Sequence, residues 1–216
     1  GIKEVILDGF YKIGKLEKGI TTTPFGDENA WWLLKARSNV TVKGRSWSDG
    51  LLIAGGLVAS NASEPNPKGY MVFGDYNQPD VENFKIKNFT IDNNGQKNLL
   101  PAVDGFGSQA LCPNVWFQRG KNIGVFGIHF KDNPGHQTVV LDSGVKGAKV
   151  IGNTFTNNGK GLPNNVNIVD HSTVYVRATD FWVTNNTFTF ETLKPDLSAA
   201  LEIHGVNGHV YGNTTN

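Results

Sequence analysis

The sequence predicts an all-β protein that folds as a parallel β-solenoid, in which successive turns of backbone stack on one another. Three observations predict this class: an excess of turn-forming residues, an apolar alternation of period two, and a repeated segment. The 216 residues include 26 glycines and 24 asparagines, and both residue types accept the backbone conformations of tight turns. No stretch of about 12 residues follows a clean helical period, whereas Phe84–Ile91 and Phe181–Asn185 alternate apolar and polar side chains.

One outline recurs six times: two apolar residues at alternate positions, then a small residue, then a short apolar or threonine pair. The six segments are Val40–Gly44, Phe84–Ile91, Ile123–Phe130, Ala148–Phe155, Phe181–Phe188 and Gly208–Thr215. Their small residues are separated by steps of 44, 39, 25, 33 and 27 residues. A constant outline at variable spacing predicts about six rungs of roughly 25 residues, each one full turn of backbone, with loop insertions between them.

A second strand precedes four of these segments, which indicates that the rungs are in register. Gln118 to Val125, Val176 to Val183 and Ile203 to Val210 each span seven residues, whereas Leu141 to Val150 spans nine. The longer distance indicates a two-residue insertion near Gly144. A β-sandwich is the rival fold, but it gives no reason for the repeated Gly-Asn-Thr-Phe and Asn-Asn-Thr-Phe segments. We expect a single domain over residues 1–216, compatible with its being a segment of a longer chain.

Composition excludes several kinds of function. The single cysteine, Cys112, can form neither an intramolecular disulfide nor a Cys-x-x-Cys metal site. A net charge of +1 gives no electrostatic footprint for nucleic acid, and the longest apolar run, Leu51–Ala59, is too short to cross a bilayer. We therefore expect no nucleic-acid partner, no membrane insertion, no metal site and no cofactor. A calcium ion held by aspartates would leave no recognisable spacing.

Five segments, spread over nearly the whole chain, carry a family resemblance. Val5–Ile13 is similar to the first rung, and Asn39–Gly44 and Gly152–Asn157 to ordinary rungs, of the right-handed parallel β-helices of the pectate-lyase-like superfamily. Asp170–Val176 followed by Ala199–Gly205 resembles the β-helix domains of bacteriophage tailspikes and appendages. The resemblance implies a right-handed, single-stranded parallel β-helix. It also implies an extracellular or virion-borne tail or appendage protein that handles a polysaccharide or cell-surface glycan, and it is compatible with a homotrimer.

In the last three predicted rungs, alternation places two columns of side chains on the outer side of one sheet. One column is Asp142, Arg177 and His204, and the other is Val140, Tyr175 and Glu202. We expect Asp170, His171 and His136 to join the same face from the loops that precede its strands.

Carboxylates that share one face indicate glycoside hydrolysis, in which one protonates the leaving oxygen and the other acts as base or nucleophile. The candidate catalytic residues are Asp142, Asp170, Glu202, Arg177 and His204. A polysaccharide lyase would instead need a base and a cation beside a uronate carboxylate, roles open to Arg177, His204 and Tyr175. Hydrolysis is favoured because three acidic candidates cluster on this face and no lysine does.

The candidate sugar-binding residues are Tyr175, Trp182, His171 and His136. Trp182 alternates outward between Phe181 and Val183, so its ring could stack on a sugar. A non-catalytic receptor-binding spike or adhesin, gripping a glycan with the same face, is the alternative outside the enzymes. For each charged residue there is also a plain structural interpretation: it solvates the sheet, with Arg177 pairing Asp142 or Glu202.

Overall fold

The computed structural model is a parallel β-helix with three sheet faces, which we name A, B and C in the order in which each rung visits them. It describes residues 1–15, 17–18, 31–57, 70–75, 80–98, 112–135, 137–158, 171–189 and 198–216. This part of the chain contains 22 β-strands, one 3-10 helix (Gly95–Lys97) and no α-helix. The predicted β-rich, turn-rich architecture is therefore confirmed.

Each face is a stack of strands taken from successive rungs. Face A consists of β4 (Trp31–Lys35), β7 (Met71–Asp75), β11 (Val115–Lys121), β14 (Val139–Lys146), β17 (His171–Val176) and β20 (Ser198–Ile203). Face B consists of β1 (Lys3–Leu7), β5 (Val40–Gly44), β9 (Lys85–Lys87), β12 (Gly124–Phe126), β15 (Lys149–Ile151), β18 (Thr179–Thr184) and β21 (Val206–Tyr211). Face C consists of β2 (Phe10–Ile13), β6 (Gly50–Ile53), β10 (Thr90–Asp92), β13 (His129–Lys131), β16 (Thr154–Thr156), β19 (Thr187–Thr189) and β22 (Thr214–Thr215).

Two short strands complete the sheets: β3 (Glu17–Lys18) pairs antiparallel with β4, and β8 (Val81–Glu82) pairs with the end of β11. Apart from the β3–β4 pair, every strand pair in the described residues is parallel. Faces A and B belong to one 15-stranded sheet because β11 and β14 continue around the corner between them, whereas face C is a separate 7-stranded sheet. Six rungs carry a strand on all three faces, and β1 and β2 form a partial rung before them.

The strand register confirms the predicted stacking. On face B the register aligns, rung after rung, Lys43, Lys87, Phe126, Ile151, Thr184 and Tyr211. These positions precede the six small residues of the repeat, so the predicted steps are those of the structure. Between faces A and B, Leu141 pairs with Val176 and Lys146 pairs with Thr179. The rung of β14 therefore has two more residues than the rung of β17 between these pairs, which confirms the predicted insertion near Gly144. The predicted spacing treats Gln118 and Leu141 as equivalent strand ends, and this is wrong by one residue. The partner of Leu141 is Phe117, and the register of β11 and β14 shifts immediately after Phe117.

Five of the six small residues of the repeat stand at corners where the backbone turns with positive φ; the exception is Gly44, the last residue of β5. The corner from face B to face C has φ between 56° and 67° at Asn88, Gly127, Gly152, Asn185 and Gly212. The corner from face A to face B has φ between 54° and 74° at Asn39, Asn83, Asn122, Gly147, Asp180 and Asn207. Most side chains are strained in this left-handed region, whereas Gly, Asn and Asp tolerate it. The abundance of Gly and Asn therefore specifies where each rung bends.

The interior holds two ladders that explain the rest of the repeated Asn-Thr-Phe segment. The rings of Phe130, Phe155 and Phe188 stack on successive rungs with centroids 4.9 Å and 4.8 Å apart. Below the adjacent corner, Nδ2 of Asn153 donates to Oδ1 of Asn186, and Nδ2 of Asn186 donates to Oδ1 of Asn213, at 2.9 Å and 2.8 Å. Each of these asparagines directly follows its corner residue, and each phenylalanine lies three residues after it, so the Asn and the Phe of the repeat both have a structural role.

Candidate functional site

The predicted outward columns lie on face A, on the strands β14, β17 and β20. The register places Val140, Tyr175 and Glu202 side by side on three successive rungs. The next column follows from two backbone hydrogen bonds, Arg177 N–H to the Leu141 carbonyl and His204 N–H to the Val176 carbonyl. We call Asp142, Tyr175, Arg177, Glu202 and His204 the face-A cluster. The structure thus brings together five of the residues singled out in the sequence, while their roles in a reaction stay predictions.

Within the face-A cluster each carboxylate has a cationic or imidazole partner. Nη1 of Arg177 lies 3.6 Å from Oδ1 of Asp142, and Nε2 of His204 lies 2.7 Å from Oε1 of Glu202. The carboxylate side chains are 15% and 23% exposed, whereas those of Arg177 and His204 are 49% and 54% exposed. A ligand that reaches this face therefore meets the guanidinium and the imidazole first, with the carboxylates behind them as hydrogen-bond acceptors.

Tyr175 stands between the two charged pairs. Burial raises the pKa of its phenol; Arg177 opposes this shift, and the carboxylates of Asp142 and Glu202 add to it. The ring centroid of Tyr175 lies 5.5 Å from that of His204. The phenol therefore keeps its proton at neutral pH and can donate a hydrogen bond, but it is a poor candidate for a catalytic base.

The two carboxylates lie far apart for a catalytic pair. Asp142 and Glu202 are two rungs apart in adjacent columns, so their backbones are separated by about 10 Å at the usual strand spacing. Inverting glycosidases hold their carboxyl groups about 6.5–9.5 Å apart, and retaining enzymes about 5–5.5 Å apart. Only an inverting arrangement, with both side chains leaning toward each other, is compatible with this separation.

Next to the face-A cluster lies an apolar patch that the sequence interpretation missed. Trp32, Met71, Trp116 and Val140 point away from the helix interior, yet they are only 1–5% exposed and pack together with Tyr175 at their edge. We call these four residues the outer apolar cluster. Trp116 and Val140 occupy the same column as Tyr175, but the predicted register, wrong by one residue at Gln118, places Phe117 rather than Trp116 there.

The other predicted site residues are not brought to this cluster. Trp182 lies on face B, where the ammonium of Lys149 is 5.1 Å from its ring centroid and the His209 ring stacks on it at 5.4 Å. Contacts on both sides of the indole leave it no free face for a sugar. Asp170 and His136 lie outside the described residues. His171 is the first residue of β17, and the structure describes its backbone, which pairs with Ser198 of β20.

The described residues give little support to metal binding or to thiol chemistry. They hold no group of three or more His, Cys, Asp or Glu side chains arranged to bind a metal ion. Burial raises the pKa of the Cys112 thiol to about 12, so it is protonated and unreactive at neutral pH. In the part of the chain that the structure describes, no helix has the length and apolar character needed to span a membrane.

Comparison with solved structures finds the tailspike protein of E. coli bacteriophage HK620. Its complex with a pentasaccharide matches with a TM-score of 0.73 and 19% sequence identity over 99% of this chain. A mutant with a pentasaccharide gives 0.74, and one with a hexasaccharide gives 0.70, both at 19% identity over 98% of this chain. The chain has the right-handed parallel β-helix fold of that tailspike.

The predicted fold is thereby confirmed, and so is the resemblance to tailspike β-helices at the level of fold. This chain spans about a third of the length of the HK620 tailspike chains that it matches, since it covers 33% of each. No protein-family model and no curated protein matches the sequence.

Proposed function

We propose that this chain is part of the β-helix of a virion-borne, tailspike-type protein, and that its face-A cluster binds a cell-surface polysaccharide. The observation that carries the proposal is the array of paired charges on the outer side of face A, with the more exposed member of each pair facing solvent. The fold supports it, because HK620 tailspikes of the same fold are described in complex with oligosaccharides.

Each residue of the face-A cluster suits a sugar hydroxyl. Arg177 offers several fixed N–H donors, and the phenol of Tyr175 offers one O–H donor. The carboxylates of Asp142 and Glu202 accept hydrogen bonds from hydroxyls that point toward the sheet. Because strands of a parallel sheet repeat about every 4.8 Å, these groups form a regular array along which an extended sugar chain can lie.

Hydrolysis is the finer proposal for the same residues. Asp142 and Glu202 flank Tyr175 on one face, and an inverting enzyme needs two carboxylates on opposite sides of the scissile bond with room for a water molecule. Asp170, outside the described residues, is the third candidate. Elimination is less favoured, because the protonated phenol of Tyr175 lacks the basicity to remove a proton from a uronate.

Binding is tested by titration calorimetry of the whole chain with a panel of purified bacterial surface polysaccharides. We expect at least one member to bind, and Arg177→Ala to weaken that binding about tenfold, the loss of one charged hydrogen bond. Lys12→Ala, an exposed lysine on face C, is the matched control and should bind normally. Unchanged binding by Arg177→Ala would remove face A from the proposal, and binding of no polysaccharide would overturn it.

Cleavage is tested separately on the polysaccharide that binds. New reducing ends indicate hydrolysis, and ultraviolet absorbance of unsaturated uronates indicates elimination. Under hydrolysis Glu202→Gln should abolish turnover and retain binding, because the amide keeps the shape and can still accept from His204. Undiminished turnover in Glu202→Gln would exclude Glu202 as a catalytic residue. Binding without either product would identify a receptor-binding module.

The expected homotrimer is tested by sedimentation velocity.

A further inference from the structure

Face B carries a second concentration of side chains suited to a ligand, independent of the face-A cluster. Its outward positions include four lysines, and from β5 to β21 the one acidic residue among those described is Asp180, at the corner with face A, where it pairs with Lys146 at 3.6 Å. Lys43 pairs with Glu4 of the first strand at 2.8 Å. The other three, Lys85, Lys87 and Lys149, make no ion pair within the described residues.

The three unpaired lysines lie close together on the sheet. Lys85 and Lys87 belong to one strand, and the register aligns Lys85 with Gly124 and then with Lys149, two rungs further on. At about 4.8 Å per rung, Lys85 and Lys149 are roughly 10 Å apart along the helix axis. The ring of Phe126 lies over Gly124, where an added Cβ would meet it, so an aromatic ring fills the space between the lysines in one strip.

Aromatic rings hold two of these lysines in place. The ammonium of Lys87 lies 5.5 Å from the ring centroid of Phe126, and that of Lys149 lies 5.1 Å from that of Trp182. Such cation–π contacts are worth about 0.5–1 kcal/mol at exposed sites and limit the motion of the side chain. The strip continues past Trp182 to the exposed ring of Tyr211.

We propose that this strip of face B, formed by Lys85, Lys87, Lys149, Phe126 and Tyr211, binds an anionic polysaccharide whose acidic groups contact the lysines. The chain as a whole has a net charge of only +1, so the positive charge here is a local feature rather than a reflection of composition. An extended polyanion fits a flat strip of cations at fixed spacing, and the ring edges of Phe126 and Tyr211 suit the apolar C–H groups of sugars.

A polysaccharide fits this strip better than a nucleic acid does. Duplex binders typically neutralise about 6–10 phosphates, whereas face B offers three unpaired lysines. The proposal concerns a different face from the face-A cluster and does not depend on the function proposed there.

The test is titration of the whole chain with polygalacturonate, with neutral dextran and a DNA duplex as comparison ligands. We expect polygalacturonate to bind, dextran and duplex to bind far more weakly, and affinity to fall as salt rises. Lys87→Ala/Lys149→Ala should weaken polygalacturonate binding about tenfold. The control Lys121→Ala/Lys146→Ala removes two lysines that already pair with Glu82 and Asp180, and it should bind nearly as well as the parent chain.

Each outcome decides between the two faces. Loss of polygalacturonate binding in Lys87→Ala/Lys149→Ala, with binding retained in Arg177→Ala, supports the face-B site even if no surface polysaccharide binds face A. Loss in Arg177→Ala alone would assign the polyanion to face A and overturn the proposal. Equal effects of the two lysine pairs, or tighter binding of the duplex, would also overturn it. Circular dichroism and the unfolding midpoint show whether each variant is folded.

Discussion

The indole Nε1 of Trp47 donates a hydrogen bond to the carbonyl oxygen of Gly127, 2.6 Å away, although 80 residues separate the two in sequence. Trp47 follows β5, and Gly127 follows β12, two rungs further along the helix. The rung between them takes part as well, because Oγ1 of Thr90 donates to the carbonyl of Trp47 at 2.8 Å. The ring of Trp47 also lies 5.0 Å from that of His129. Trp47 thus links three successive rungs at the corner between faces B and C.

Replacing Trp47 by Phe should lower the free energy of unfolding by about 1 kcal/mol, because the ring is largely retained while the hydrogen bond to Gly127 is lost. Urea denaturation followed by circular dichroism measures the change. Trp182→Phe shrinks a ring without removing a hydrogen bond that the structure shows, and it serves as the matched control. Equal stability of Trp47→Phe and the parent chain would mean that the hydrogen bond from Trp47 to Gly127 contributes nothing to stability.

The same corner should make stability depend on pH through His129. Burial, assisted by the charge of Lys131, lowers the pKa of His129 below its ordinary value of 6.5. The folded protein then binds fewer protons than the unfolded chain, so stability is complete above about pH 6.5 and declines as pH falls through the folded-state pKa. We expect a lower unfolding midpoint at pH 5.5 than at pH 7.5. In His129→Gln this difference should shrink, and an undiminished difference would assign the effect to other groups.

The buried asparagine ladder predicts a large loss of stability from one substitution. Asn186 accepts hydrogen bonds from the backbone N–H and Nδ2 of Asn153, and it donates to the Val150 carbonyl. Asn186→Ala leaves these buried groups without a partner, which should cost about 3 kcal/mol. Chemical denaturation measures the loss. Asn185→Gly, at the adjacent exposed corner, should change stability by less than about 0.5 kcal/mol. Similar losses in the two variants would contradict the ladder's role.

The corner residues predict which substitutions at Gly152 are tolerated. Its φ is 66°, and a Cβ there would meet no atom within 4 Å, so backbone conformation alone limits the side chain. Gly152→Asn should leave stability nearly unchanged, because Asn88 and Asn185 occupy the same corner in other rungs. Gly152→Val should cost about 1–2 kcal/mol, since a branched side chain is strained in the left-handed region. Thermal melts of both variants distinguish this from crowding, which would destabilise the two alike.

The sequence carried most of the fold because its signals are local. A residue with positive φ marks most of the corners, and alternation from that corner decides which side chains face inward. These two signals sufficed to place Tyr175 beside Glu202 across 27 residues. They failed at Gln118, where a shift in register after Phe117 adds a residue to one strand and not to its partner.

Contacts between side chains of neighbouring rungs were harder to predict. Alternation correctly pointed Trp182 outward, but Lys149 and His209, 33 residues before and 27 residues after it, lie on either side of its ring. The outer apolar cluster was missed for a related reason. Alternation separates inward from outward positions, but it does not tell whether an outward tryptophan such as Trp116 is exposed.

The rungs between Lys43 and Tyr211 differ in length from 25 to 44 residues, yet their strands stack in the same alignment. Apart from the two extra residues near Gly144 within β14, length variation is confined to the connections, and the stacked strands keep their alignment. A lineage could replace or lengthen one connection at a time, altering what the surface recognises, while the corner residues and the stacked interior continue to guide folding.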